Sequence, residues 1–363
     1  MHDGKTHSGV DYVWPTKLLR PSHNIQIVYL DLNHWISFAR AHKEPSSNGE
    51  VAEVLGACIS ARDSNRAIFP ISALTYYELA KIRQEYQRYD LRQVVELLSE
   101  YRVVVSPVQV IDREIEAVLD KSYGPNVPGL DPVQYIDRGW VRALGAEDYA
   151  ADIEAIRARE VDRIASLAPD GVELFEEIFQ GFQFFKERAI LDGPNWAARR
   201  ESLVPYVQVA DIARIMDARL KQELSLRDAF DLNPSCRRGR IRDYVMTRSV
   251  KDDYMPIMAV QLARRGRDGL EFYETRERMR ELFDSMPGCD AMVTLKTMYH
   301  RNVEHRWAIN DIYDIDALSV AMPYCDIVLT DGAVANQANT SQLADRLDVV
   351  VSNQLDSLWE ILD

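Results

Sequence analysis

The sequence predicts an α/β protein in which a parallel sheet, covered by helices on both faces, is interrupted by a large helical insertion. Three observations predict it. Short β-branched apolar runs alternate with amphipathic helical stretches near both ends of the chain. Two of those runs are followed closely by an aspartate at the point where a helix begins. Between the two α/β stretches, strand signals nearly vanish and long helical patterns take over.

Taken in order, Ile25 to Leu30 (IQIVYL) reads as a buried strand, and Asp31 follows at once before a helix. Ala67 to Pro70 is a second strand. Ser72 then stands as an N-cap, and a helix runs through Leu74, Tyr77, Glu78 and Ile82. A helix over Leu91 to Glu100 leads to a third strand, Tyr101 to Val105, stopped by Ser106 and Pro107. Residues 107–288 form the insertion. Its helical patterns include Asp148 to Leu167, Val172 to Ile190 and Val207 to Leu224, with breaks at Gly124–Pro125, Pro128–Gly129, Gly193–Pro194 and Pro234. The α/β pattern returns with a helix over Asp290 to Trp307 and another from near Asn310 that ends before Pro323. Asp326 to Thr330 (DIVLT) is a strand with Asp331 at its end; Leu347 to Val351 is a fifth strand and Leu355 to Leu362 a closing helix. The expected organisation is a flexible tail at 1–24, a core built from 25–106 and 289–363, and the insertion at 107–288.

Composition narrows the function classes. Hydrophobic residues make up 47% and charged residues 28%, ordinary for a globular protein. No apolar run is long enough to span a membrane, and the polar N-terminus lacks the apolar core of a secretory leader. The four cysteines, Cys58, Cys236, Cys289 and Cys325, form no C-x-x-C pair, which points to free thiols in a reducing cytoplasm and away from zinc. A net charge of -14 argues against coating nucleic acid by bulk positive charge. It is compatible with an enzyme that holds cations on carboxylates and phosphates on a few local arginines.

The carboxylates carry the chemistry. In a parallel sheet, Asp31 and Asp331 both fall at the carboxyl edge, where open α/β folds place their ligands. Each alone could simply cap the next helix. Glu78 lies on the helix after the second strand, in the otherwise largely apolar ISALTYYELAKI. In NDIYDIDALSVA, Asp311 and Asp314 share a helix face, and Asp316 points nearly the opposite way. Asp311 could serve only the helix dipole. Asp314 is followed by Ala317 and Ala321, small residues that let the helix approach the sheet, so Asp314 is the inward acid. Several ionised carboxylates held together need a cation, and an all-oxygen set selects Mg2+ or Mn2+.

Asp31 with Asn33, Glu78 after Ser72, Asp314 in DIDALSVA and Thr330–Asp331 together resemble the four-motif pattern of PIN-domain ribonucleases. The resemblance covers about Ile25 to Val105 and Asp290 to Leu362, and leaves the insertion outside it. It implies a PIN-like α/β/α core and an endoribonuclease that hydrolyses phosphodiesters with Mg2+ or Mn2+. It implies Asp31, Glu78, Asp314 and Asp331 as metal ligands, with Asp311 an additional candidate, and Asn33 and Thr330 as substrate-orienting groups. A toxin of a toxin–antitoxin pair, a processing enzyme and a defence nuclease all fit it. RNA is the expected substrate, with DNA open. An antitoxin or other protein and a second copy of the chain are the expected partners.

Phosphates need cations. RRGRIR supplies Arg237, Arg238, Arg240 and Arg242, with few acids near it; Arg301 and His305 share a helix face just upstream of Asp311. The helix-dipole alternative for Arg301 and His305, and a solvated surface for the RRGRIR loop, stay open. Two other functions compete. A haloacid-dehalogenase-like phosphatase also places Asp after the first strand, but wants a second Asp where Asn33 stands. A catalytically silent PIN-like module would bind RNA or protein through the helical insertion.

Overall fold

The computed structural model describes residues 10–168, 170–192, 209–267 and 275–359. It is mostly helical with small parallel sheets, so the broad α/β class holds. The chain divides into two compact units, one of 1–29, 107–135 and 213–354, the other of 30–106, 136–212 and 355–363.

In the first unit the strands are short; Ile327–Leu329 is buried throughout and Gln26–Leu30 at every position but its first. Ile327–Leu329 pairs in parallel with Val350–Ser352, Ile327 opposite Val350 and Leu329 opposite Ser352. Gln26–Leu30 neighbours Ile327–Leu329 on its other side. Ile27, Val28, Val328 and Leu329 have no exposed surface, which is why these runs are apolar at every position rather than at alternate ones. The helix Pro287–Arg301 is the core of the unit, with every position from Pro287 to His300 buried except Met298. It packs along Ile309–Tyr324, which continues through Pro323 in its last turn and closes with the Cys325 N–H on the Ala321 carbonyl at 2.8 Å.

The expected flexible tail is docked over its described part. Leu18–Leu19 pairs in parallel with Val133–Gln134. Trp14 stands edge-on to Tyr324, Lys17 bonds Glu116 at 2.8 Å, and the Tyr12 hydroxyl reaches Asp290. The polar composition of the segment concealed two aromatic anchors and a strand. Residues 1–9 lie outside the described residues.

In the second unit, the helix Leu32–Lys43 packs on Gly49–Asp63 and Glu85–Ser99. Arg102–Val104 pairs antiparallel with Ile136–Arg138, and Ile71 bridges Val103 in parallel. Gly139 turns the chain into the short helix Trp140–Leu144 at a φ of 88°, and a Cβ there would sit 2.7 Å from a carboxylate oxygen of Glu187.

The described residues between 107 and 288 are mainly helical as expected, but they do not form a unit of their own. Residues 107–135 and 213–288 belong with the first unit, and 136–212 with the second. The two strands Val133–Gln134 and Ile136–Arg138 inside the expected insertion are too short and too polar to show period-2 alternation. The closing helix is a 3-10 turn at Leu355–Leu358, and residues 360–362 of the expected span lie outside the described residues. All four cysteines are free.

Each unit buries a carboxyl that forms no ion pair among the described residues. In the first, Glu114 accepts from the Gly288 N–H at 2.8 Å and the Tyr324 hydroxyl at 2.6 Å, and burial pushes it up to about 7. In the second, Glu187 accepts from the Trp140 N–H and the Tyr76 hydroxyl, and burial likewise raises it to about 7. A raised carboxyl binds more protons folded than unfolded between its two pKa values, so its contribution falls as pH rises through that window. The urea midpoint is therefore expected to fall between about pH 5 and about pH 8. Glu114→Gln and Glu187→Gln should each flatten that slope; a slope untouched by both substitutions would show that neither carboxyl is protonated in the fold.

Candidate functional site

The sequence places Asp31 where a strand ends, and in the second unit it caps the helix Leu32–Lys43, its carboxylate accepting the Leu32 N–H at 2.7 Å. The indole of Trp35, wholly buried, donates to the Leu30 carbonyl at 3.0 Å and holds the chain just before Asp31. Glu78 stands on the helix Ala73–Lys81, N-capped at Ser72, whose N–H donates to the Thr75 hydroxyl at 3.3 Å. One oxygen of Glu78 is buried with no hydrogen-bond partner. Burial, and then the charge of Asp31, push Glu78 up to about 7, against a smaller pull from Lys81. Asp31 and Glu78 are thus close enough to repel. His34, one turn along from Asp31, is buried and held down to about 4, so it is neutral at physiological pH. Asn33 is exposed on the first turn of the same helix.

A second group of acids belongs to the first unit. Asp331 caps Gly332–Thr340, one carboxylate oxygen accepting from the Ala333 and Val334 N–H groups at 2.8 and 3.0 Å. Thr330 is buried, with its N–H on the Ser352 carbonyl. Asp311 reaches back to the Ala308 N–H at 2.6 Å and to the His305 ring at 3.1 Å, which makes it a cap and the tether of His305. Asp314 is half-buried, and Asp316, on the other face, takes both arms of Arg219. The charges of Asp311, Asp314 and Asp331 are all felt at Tyr299. Burial raises its hydroxyl pKa, and Asp311, Asp314 and Asp331 raise it further, so all three fields reach that oxygen. Its ring lies 4.4 Å from His305 and 5.5 Å from Trp307. Tyr299 is a site residue that sequence reasoning missed. It is one buried position among many in Pro287–Arg301, and no spacing sets it apart.

Asp31 is thus coupled to Glu78 by charge, and Asp311, Asp314 and Asp331 to Tyr299. Among the described residues no group of three or more His, Cys, Asp or Glu side chains is arranged to hold a metal ion. The Asp31–Glu78 pair is the part whose chemistry fits a cation: two oxygen donors, one of them orphaned, repelling each other in a partly buried setting.

The expected basic loop is largely committed elsewhere. Arg237 pairs with Asp231, donates to the His300 carbonyl at 3.3 Å and lies over the Phe230 ring. Arg242 bonds Asp284 at 2.5 Å and Asp290 at 2.8 Å. Arg240 stands 3.7 Å from Asp243, and Arg238 is exposed. Arg301 is exposed at the end of its helix. Arg237 and Arg242 are committed because the fold brings their acidic partners Asp231, Asp284 and Asp290 beside them.

The same unit contains a sealed ion network that sequence reasoning also missed. Lys296 lies 2.8 Å from Glu223 and 3.7 Å from Asp253, and His300 meets the other oxygen of Glu223 at 2.9 Å. Burial would raise Glu223, but Lys296 and His300 outweigh it and hold it at about 2. A lysine and a histidine four apart inside the apolar pattern of Pro287–Arg301 were the available signal.

Comparison of the chain with protein-family profiles, with characterised proteins and with solved structures finds no match to any of them.

Proposed function

We propose that this chain is a divalent-cation-dependent nuclease, most in keeping with an endoribonuclease of PIN-like type. The observation that carries the reading is the Asp31–Glu78 pair: a capped aspartate at a strand end against a glutamate with an orphaned buried oxygen. Mg2+ or Mn2+ on such oxygens supplies Lewis-acid stabilisation of a phosphodiester and a lowered pKa for bound water.

The chain's own groups do the rest. Asp31 is held in place by its bond to the Leu32 N–H, so its geometry does not depend on a ligand. Glu78, raised to about 7, is about half protonated at neutral pH, and a cation held there would compete with that proton. The ligand roles of Asp314 and Asp331 and the substrate-orienting roles of Asn33 and Thr330 rest on the resemblance alone, and His305 stays a phosphate-side candidate beside Arg301. The exposed cations Arg301 and Arg238 are the better candidates for phosphate contact, because Arg237 and Arg242 are tied to carboxylates. An antitoxin-like protein partner remains part of the proposal. Among the described residues no helix is long and apolar enough to cross a membrane.

The reading makes a paired prediction for Asp31→Asn and Glu78→Gln. Both should abolish Mn2+-dependent cleavage of single-stranded RNA while the fold is kept. At about pH 8, Glu78→Gln should also raise the melting temperature of the metal-free protein, since it removes a charge that burial and Asp31 both disfavour. Added Mn2+ should raise the melting temperature of the wild type and leave that of Glu78→Gln unmoved. Cleavage that persists in chelator, or a wild-type melting temperature indifferent to Mn2+ and Mg2+, would sink the proposal.

The arginines separate into two classes by the same geometry. Arg242→Ser leaves the buried Asp290 short of one of its cations and should cost about 3 kcal/mol of stability. Arg238→Ser should leave stability alone and raise KM with a flatter salt dependence. Chemical denaturation of both variants beside their steady-state kinetics checks this, and equal stability losses would contradict the division.

A further inference from the structure

The helix Gly171–Asp192 of the second unit has an outer face that nothing described so far explains. Its inner side carries the buried Glu187 and Leu191. Its outer side exposes Leu174 at 59%, Ile178 at 62%, Phe182 at 51% and Phe185 at 63%. Steps of four, four and three residues put these side chains in one stripe along the helix. Single exposed apolar residues are ordinary, but a continuous stripe of four large ones marks an interaction surface. Ile156, 50% exposed on Glu147–Leu167, the helix packed alongside, adds to the apolar surface of this helix pair.

We infer that the stripe is a two-fold interface with a second copy of this chain, the same helix of that copy lying antiparallel across it. The charge pattern selects the occupant. The N-terminal half carries Glu173 and Glu177, both exposed and neither ion-paired among the described residues. The C-terminal half carries Lys186, whose ammonium lies 4.6 Å from the centre of the Phe182 ring at the edge of the stripe. Glu176 and Arg188 are already engaged, with Arg157 and Glu96. A two-fold axis between Phe179 and Gln180 sets Leu174 against the second copy's Phe185, and Ile178 beside its Phe182. The same axis sets Glu173 against the second copy's Lys186. Apolar and charged positions thus fall into register under one operation, as a self-complementary surface requires. Gly181 lies next to the axis, and a Cβ there would meet nothing within 4 Å, so the two backbones can approach closely at the crossing. A parallel arrangement would stack Glu173 on Glu173 and align the helix dipoles.

Sedimentation velocity on the full chain tests this, independently of any nuclease activity. The wild type should sediment at twice the monomer mass of 41.6 kDa. Ile178→Glu combined with Phe185→Glu should give monomer that still unfolds cooperatively, at a melting temperature that no longer depends on protein concentration. Glu173→Lys alone and Lys186→Glu alone each place like charges together twice and should weaken the dimer by about tenfold or more. Mixed in equal amounts, the two single variants should recover wild-type affinity, because each then meets its opposite. A monomeric wild type at all concentrations overturns the inference, as does a mixture no tighter than its components.

Discussion

Asp290 is the carboxylate on which the first unit closes. It is 3% exposed, and three segments distant in sequence reach it. Tyr12 donates to one oxygen at 2.5 Å, Arg346 meets the same oxygen at 2.8 Å, and Arg242 meets the other at 2.8 Å. Burial alone would raise its pKa, but Arg242 and Arg346 overcome that and hold it below the usual carboxylate range. A charge taken this far from water is tolerable only with such partners, so the N-terminal segment, the helix Ile241–Ser249 and the helix Leu343–Leu347 are all obliged to meet at one place. The docked tail and the committed arginine of the basic loop are two consequences of that single requirement.

Lys296, Glu223 and His300 satisfy the same constraint by mutual pairing, and Glu114 and Glu187 satisfy it by accepting backbone N–H and tyrosine O–H groups. Glu78 is resolved differently. Its neighbour Asp31 carries the same sign, and one of its oxygens is buried without a hydrogen-bond partner. A carboxyl in that position is stabilised by a proton or by a cation. That choice couples pH to ligand binding, and this is why the pair, more than any other acid of the chain, reads as a site of chemistry.

The second unit adds a contrast on the apolar side. Its inner packing follows amphipathic periodicity, yet the helix Gly171–Asp192 carries apolar residues on both faces. Folding of one copy buries only one of them. The proposed pairing with a second copy treats the surplus as a second packing problem, with its acidic and basic ends fixing direction.

Local features were legible in the sequence. The strand ends at Leu30 and Leu329, the Ser72 cap, the helix carrying Asp314 with Asp316 on its opposite face, and the helical character of residues 107–288 all follow from backbone propensity and periodicity within a few residues. The capping of helices by Asp31 and Asp331, weighed beforehand as the plain alternative for each, is also what both carboxylates do, without excluding a ligand on their other lone pairs. Only the tertiary structure decided which charges are committed. Arg242 reads as a free basic residue until Asp284 and Asp290, more than forty positions away, are placed beside it; Tyr12 reads as part of a loose tail until Asp290, 278 positions away, accepts its hydrogen bond. Tyr299 is ordinary until Asp311, Asp314 and Asp331 act on it together. Backbone preference is set by neighbours within about one helical turn, whereas the partner of a buried charge is set by whatever the fold carries to it.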